Sequence, residues 1–363
     1  MNSVASRFRL FAATECGEEP LYRALCNIAV EEPQVLALLE AAQPEQRRPN
    51  LLLAAVQYLL LGGLRHPLAD YYPSIGGSRE LDDGLHRAFV GFCQTEHAAL
   101  LKLIATHTTQ TNEVGRCAVL WPILRLAAQR RGSDRIALLD FGCSAGLNLG
   151  VDRYVYDYGA LRLSPGGADA QVRIDCRLVG TAAPAAGDGN TPRVVSRLGI
   201  DTEPSDVNDE NSVRWLQACV WPHDTKRRQR FDAAVMQARE AGWRVEQHRD
   251  CTSAVEAWID TAVPDALPVV FNSWVLTYFT PDARARHIKR MCELVQGHGL
   301  VWISAEAPDI CVDEALVAPA QEVALEELGA GTLWTIMTQG ESRPSSQIVA
   351  RSHPHGKWMQ WLA

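Results

Sequence analysis

Apolar positions recur at helical spacing through the first third of the chain, then give way to short apolar runs alternating with helical stretches. Leu21, Leu25, Ile28 and Ala29 fall on one face of a helix that Pro20 is placed to begin. A second helix is predicted around Val35 to Leu39, and a third through Leu51 to Leu61, stopped by Gly62-Gly63. His66 to Gly77 is an aromatic, turn-rich loop. Leu85, Phe89, Phe92, Leu100 and Leu103 then mark a longer amphipathic helix. No internal repeat is present.

From Arg135 the pattern is that of strands alternating with helices, the signature of a parallel sheet wrapped by helices. Strands are predicted at Ile136–Asp140, Val194–Ile200, Trp243–His248, Leu267–Phe271 and Leu300–Ser304, with two late strands at Thr332–Met337 and Ile348–Arg351. A hairpin insertion is expected at about 154–180, with Pro165-Gly-Gly167 as its turn, followed by a mobile Ala/Pro/Gly-rich loop over Thr181–Thr191. Thr280-Pro281 caps a helix carrying Ile288, Met291 and Val295 and stopped at Gly297. The fold class is therefore α/β. The expected domains are 1–132, helical, and 133–363, the sheet domain, with the break near Gly132-Ser133.

Ile136-Ala-Leu-Leu-Asp-Phe-Gly-Cys-Ser-Ala-Gly-Leu-Asn-Leu149 carries the most chemistry. A buried strand ends in an acid, Asp140, and Gly142 and Gly146 let the backbone bend and approach a ligand. Ser144 stands where a dinucleotide fingerprint has its second glycine, and no P-loop lysine follows. The acid-x-Gly-x-x-x-Gly pattern resembles the first motif of the S-adenosylmethionine (SAM) methyltransferase fold. That resemblance implies a Rossmann-like sheet and SAM as cosubstrate, cradled by Asp140, Gly142, Ser144, Ala145 and Gly146.

Other candidates sit at predicted strand ends, where ligands of α/β sheets gather. Asp201 is placed for ribose hydroxyls or is a loop acid. Asp250, beside the Cys251 amide, is placed for the adenine amino group or caps the next helix. Asn272 and Ser273 stand near the expected sulfonium and acceptor, with Trp274 and Tyr278 as an aromatic wall attractive to cations. Asn148 would take the SAM amino group. In Gln110-Thr-Asn-Glu-Val-Gly-Arg116, Asn112 or Thr111 caps the following helix, and Arg116 suits a carboxylate held bidentately. Glu113, His66 and Tyr72 are candidate bases, and Tyr71, Tyr72 and Ser74 either form a lid or pack between domains.

Composition narrows the class. The 363 residues are 47% hydrophobic, enough for a full core. A net charge of −8 argues against a nucleic-acid surface. The longest apolar run is too short to span a bilayer and no signal peptide is read, so a cytoplasmic location is expected. Ten cysteines lack metal-ligand spacing, and no metal site is expected, His353-Pro-His355 reading as a turn.

Tyr-Tyr-Pro-Ser-Ile-Gly-Gly77, Gln-Thr-Asn-Glu-Val-Gly-Arg116, Gly-Cys-Ser-Ala-Gly-Leu-Asn-Leu149 and Asp152-Arg-Tyr154 resemble stretches of the bacterial family DUF2332. So do Gly199-Ile-Asp-x-x-Pro-x-Asp-Val207, Trp215-Leu-x-Ala-x-Val-Trp-Pro222 and His353-Pro-His-Gly-x-Trp358. This resemblance implies a methyltransferase-like fold and carries no established reaction. The leading expectation is methyl transfer from SAM to a small-molecule acceptor, which needs alignment more than a fixed base. A second is cyclisation of SAM to azetidine-2-carboxylate with release of methylthioadenosine, since azetidine-forming SAM enzymes look like methyltransferases with a helical lid. A third is non-catalytic SAM or nucleotide binding. Neither the acceptor nor the oligomeric state can be read from the sequence.

Overall fold

The computed structural model describes residues 3–167, 169–185, 191–261, 264–313 and 331–363. The chain divides into two compact units, one formed by 1–111 and 206–231, the other by 112–205 and 232–363. The first division thus falls at Thr111/Asn112, not near Gly132. The helix Cys117–Arg131 belongs to the sheet unit because nearly all of its first twelve residues are buried, leaving no polar face to turn to solvent.

The helical unit begins with α1 (Val4–Thr14), α2 (Pro20–Glu31), α3 (Pro33–Ala37) and α4 (Pro49–Leu61). Proline at the first turn starts α2, α3 and α4, where its missing N–H is not needed. The single long helix expected around Leu85–Leu103 is two helices, α5 (Gly84–Thr95) and α6 (His97–Thr106), broken at Glu96. Both present apolar faces to one core, which lets Phe89, Phe92, Leu100 and Leu103 all be buried.

In the sheet unit, α7 (Cys117–Arg131) ends at Gly132 in the left-handed conformation and leads into β1 (Arg135–Phe141). A small sheet follows from β2 (Val155–Asp157), β3 (Arg162–Leu163) and β4 (Arg173–Asp175). The insertion is therefore more than a hairpin: β2 pairs antiparallel with β3 and parallel with β4, and β5 (Arg177–Val179) joins the main sheet. Residues 186–190 of the loop expected to be mobile lie outside the described residues. Next come β6 (Arg193–Asp201), α8 (Glu210–Ala218), which belongs to the helical unit, and α9 (Thr225–Ala241), within which the third division falls. Then follow β7 (Val245–Gln247), α10 (Cys251–Thr261), β8 (Leu267–Ser273), α11 (Pro281–His298), β9 (Val301–Glu306) and α12 (Pro308–Asp313). The chain closes with β10 (Thr332–Thr338), β11 (Ser345–Ser352) and β12 (Trp358–Trp361).

Among the described residues the main sheet has nine strands in the order β5-β12-β11-β10-β9-β8-β1-β6-β7. Strands β7, β6, β1, β8 and β9 are parallel, and β10 and β11 run antiparallel beyond them. β12, absent from the expected strands because it is only four residues long, pairs with both β11 and β5. The chain lays β6 and β7 on one side of β1, then crosses to lay β8 and β9 on the other. That reversal is the place where ligands of open α/β sheets bind, at the carboxyl ends of the strands. One face of these strands packs Leu139, Phe141, Val270 and Trp302 against Met291 and Val295 of α11 and Val255 of α10. α11 runs one residue past Gly297 and stops at Gly299, which takes the left-handed conformation; Thr280 caps its start through Ala283 N–H.

Within the helical unit, one buried amide closes the end of α8. Gln57 Nε2 donates to the carbonyls of Ala218 (3.1 Å) and Val220 (2.6 Å), while its Oε1 accepts from Ser74 Oγ (3.1 Å). This explains why the Trp215–Pro222 stretch matters: it supplies those carbonyls, and Trp221 stacks edge-on to Phe11. Replacing Gln57 by Leu strands them, at a cost of about 2–4 kcal/mol. Urea unfolding of Gln57→Leu is expected to show that loss, and a change below roughly 0.5 kcal/mol would remove the amide from this role.

Candidate functional site

The turn between β1 and the next element is held from both sides. Gly142 N–H donates to Ile200 O on β6 (2.8 Å), and Ser144 N–H donates to Asp201 Oδ2 (2.8 Å). From the other direction Asn112 accepts from Ala145 N–H through Oδ1 (3.1 Å) and donates from Nδ2 to Ser144 Oγ (2.7 Å). Asn112 therefore clamps the glycine turn instead of capping α7. Gly142 and Gly146 both have positive φ, and Ser144 shares that conformation. A Cβ on Gly142 would overlap Val275 Cγ2, and one on Gly146 would lie 2.6 Å from Val245 Cγ2.

After Gly146 the chain forms a 3₁₀ stretch, Leu147–Arg153, not the α-helix expected to carry Asn148. Gly150 is pressed against Trp243 and Tyr154, and Tyr154 Oη donates to Leu147 O (2.5 Å). Asp152 forms a two-point ion pair with Arg197 of β6 (2.8 and 3.0 Å). The Asp152-Arg-Tyr154 stretch is thus a brace for the glycine turn. Asn148 Oδ1 accepts from the buried Cys117 thiol (3.2 Å).

Asp140, the acid of β1, is fully buried and its Oδ2 has no partner among the described residues. Burial, reinforced by the charge of Asp201 and opposed by Arg116, pushes its pKa up to about 8. A second buried acid, Glu306, ends β9. Its Oε1 accepts from Asn272 Nδ2 (2.8 Å), Val275 N–H (2.9 Å) and Leu276 N–H (3.2 Å), whereas Oε2 has no partner among the described residues. Burial raises its pKa to about 7 against the lowering pull of those donors and Arg116. Between the two strands, Ser273 Oγ at the end of β8 is also buried and unpartnered. Three neighbouring strands therefore end in buried polar atoms that have no hydrogen-bond partner among the described residues.

Asn272 is occupied by the protein. Its Oδ1 accepts from Trp302 Nε1 (2.7 Å) and its Nδ2 donates to Ser304 Oγ (3.0 Å) as well as to Glu306. Arg116 lies beneath the same strand ends, donating to Ser273 O (3.3 Å) and Pro354 O (2.8 Å). Glu113 is fully buried; it accepts from Gly115 N–H (2.8 Å) and pairs with His355 Nδ1 (3.0 Å). Gly115 and Gly356 are needed because the two backbones cross there: a Cβ on Gly115 would sit 2.5 Å from His355 O. The His353-Pro-His-Gly stretch is a strap over this loop.

Asp250 caps α10 through Thr252 and Ser253 N–H (3.0 and 3.2 Å) and accepts from Ser253 Oγ (2.7 Å). The Ser253 hydroxyl leads the interactions that hold its carboxyl below the usual range. Cys251 is buried, its thiol pushed up to about 12 by burial. Trp274 donates from Nε1 to Thr332 Oγ1 (2.8 Å), and Tyr278 projects outward, 64% exposed. Tyr72 and His66 belong to the helical unit. Tyr72 is fully buried in its apolar core, and His66 packs edge-on to Phe92.

Sequence reasoning missed Glu306, although the signal was available: Val301-Trp-Ile-Ser-Ala-Glu306 is an apolar strand ending in an acid, the same logic that singles out Asp140. His355 was read only as part of a turn. Among the described residues no group of three or more His, Cys, Asp or Glu side chains is arranged to hold a metal ion, and no helix is long and apolar enough to cross a membrane.

The fold and site define a mixed α/β protein built on a large, mostly parallel sheet, nine-stranded among the described residues, with buried acids at the ends of β1 and β9. The chain belongs to the family described as "Uncharacterized protein conserved in bacteria (DUF2332)", whose model matches residues 5–361. No curated protein matches it in sequence.

Two outcomes follow from this geometry. Gly142→Ala forces an L-residue into positive φ and against Val275, costing about 3 kcal/mol, of which Val275→Ala in the same chain returns only the steric part. Chemical unfolding checks both; an unchanged midpoint for Gly142→Ala would contradict the packing. The second outcome concerns pH. Asp140 keeps its proton when folded up to about pH 8 but loses it near 3.9 when unfolded. Its contribution to stability is therefore greatest at low pH and is lost as pH rises from about 4 to about 8. Between pH 6 and pH 8.5 the melting temperature of the ligand-free protein should fall more steeply than that of Asp140→Asn. Parallel curves would mean that Asp140 is not held protonated.

Proposed function

We propose that the protein binds SAM at the carboxyl ends of β7, β6 and β1 and transfers its methyl group to a small-molecule acceptor. The observation that carries this reading is Asp140: a fully buried carboxyl with an unpartnered oxygen, at the end of the strand where the sheet order reverses. A cationic amino group is the partner such an oxygen lacks, because charge compensation offsets the desolvation that raises its pKa. The turn beside it supports the same reading, since Gly142, Ser144 and Gly146, all at positive φ, bend the backbone sharply next to that carboxyl.

The remaining residues have distinct parts in this reading. Asn112 and the backbone of Ser144 and Ala145 hold the turn in shape, and Asp201, while accepting from Ser144 and Glu203 N–H, keeps acceptor capacity toward ribose hydroxyls. Arg116 supplies a positive charge beside the acids and is the partner for the ligand carboxylate. Asp250 and Cys251 flank the adenine side, Asp250 through its fixed cap. Ser273 faces the acceptor. SAM supplies an electrophilic methyl carbon; the protein's part is to align the nucleophile and exclude water.

Asp140→Asn keeps the shape and removes the charge, so the dissociation constant for SAM should rise at least about tenfold in calorimetric titration, equivalent to about 1.4 kcal/mol. Mass spectrometry of the protein incubated with SAM and a pool of small metabolites should reveal S-adenosylhomocysteine. Methylthioadenosine with azetidine-2-carboxylate would replace methyl transfer by cyclisation, and no binding of SAM to the wild type would end the proposal.

A further inference from the structure

The second buried acid calls for a ligand group of its own. Glu306 is fixed more tightly than Asp140: three N–H donors converge on Oε1, and the Asn272 among them is held in turn by Trp302 and Ser304. The carboxyl plane is therefore set by the fold, and the one oxygen left, Oε2, is fully buried and has no partner among the described residues. Arg116 is near enough to favour the charged form, and burial, together with the charge of Glu306, raises the pKa of the Cys311 thiol on α12. A fully satisfied network ending in a single unsatisfied oxygen is expensive to maintain without a purpose.

Its position says which ligand it serves. β9 is two strands from β1, with β8 between, and Asp201 ends β6 on the opposite side of β1. Adjacent strands lie about 4.8 Å apart, so β9 is roughly 10 Å from β1 in the direction away from the acid placed for the ribose. The SAM subsites of the preceding section occupy β1, β6 and β7, which leaves the β8–β9 side, with Ser273 and Glu306, to the acceptor.

Resting on that reading of the site, we propose that the acceptor is an amine, held through a cationic N–H on Glu306 Oε2. An alcohol could donate one hydrogen bond there but would leave the carboxylate's charge uncompensated in a buried setting, whereas an ammonium group satisfies both. In the reaction one proton passes from the ammonium nitrogen to Glu306, freeing the lone pair. That pair forms the new C–N bond to the methyl carbon while the C–S bond breaks, its electrons returning to sulfur. The nitrogen regains the positive charge that the sulfonium loses.

The test uses n-butylammonium chloride as the probe and 1-butanol as its neutral counterpart, each titrated by ligand-observed NMR into the full-length protein with and without saturating SAM. The wild type should bind butylammonium at least tenfold more tightly than butanol, and Glu306→Gln should reduce that preference to less than twofold while shifting the SAM dissociation constant by less than about threefold. Equal binding of the two probes to the wild type overturns the proposal, with no variant needed. A preference that survives in Glu306→Gln, in protein whose circular dichroism matches the wild type, also overturns it. If SAM does not bind yet the probe preference is present and depends on Glu306, the amine subsite stands and the SAM reading falls. Loss of SAM binding in Glu306→Gln along with the preference assigns Glu306 to the SAM site and overturns the acceptor role.

Discussion

The constraint on which the site depends is the burial of a carboxyl group at the end of β1. Strand β1 is flanked on both sides by parallel partners, so from Ile136 to Phe141 its residues are buried and apolar but for Asp140. Leaving an oxygen of that acid without a partner destabilises the unliganded protein by an amount its surroundings must offset. The surroundings are correspondingly over-determined. The turn that follows is pinned to β6 through Ile200 and Asp201 and to the 112–116 loop through Asn112, and its two glycines are packed against Val275 and Val245.

This bracing connects distant pieces of sequence to one place. Asp152 and Arg197 tie the 3₁₀ stretch after the turn to β6. Gly199 stands where a side chain would meet Cys143 Sγ at 2.7 Å, so the glycine and the cysteine are one packing solution. Arg116 joins the end of β8 to the 353–356 strap, and Glu113 and His355 close the same strap from the other side. The stretches that stand out in the sequence of this family member are, in the sheet unit, mostly the parts that hold the glycine turn and strand ends in position.

Much of the sheet was legible from sequence because parallel strands buried on both faces read as continuous apolar runs; Ile136–Asp140, Leu267–Phe271 and Leu300–Ser304 needed only that rule. Short strands were less so. Val245–Gln247 lies within the strand expected at Trp243–His248, but Trp358–Trp361 is too brief for periodicity, and β12 exists because β11 and β5 offer it edges on both sides. The boundary between units was also hidden, since Cys117–Arg131 has the same apolar character as the helices before it. Among site residues, those within the glycine turn followed from backbone chemistry, but the state of Asn272 did not. Only the fold shows that Trp302, Ser304 and Glu306 occupy its amide. Likewise Asp250 could be read equally as ligand or cap, and the geometry shows the cap.

The central claim, that a cationic group of SAM meets the buried Asp140 carboxylate, makes a demand on protons. With its pKa near 8, Asp140 is largely protonated at pH 7 in the free protein and must ionise to hold a cation. Calorimetric titration of SAM at pH 7 in buffers of different ionisation enthalpy measures that exchange directly. Binding is expected with release of close to one proton per SAM, falling toward zero above pH 9. Binding without proton release, or with proton uptake, would contradict it.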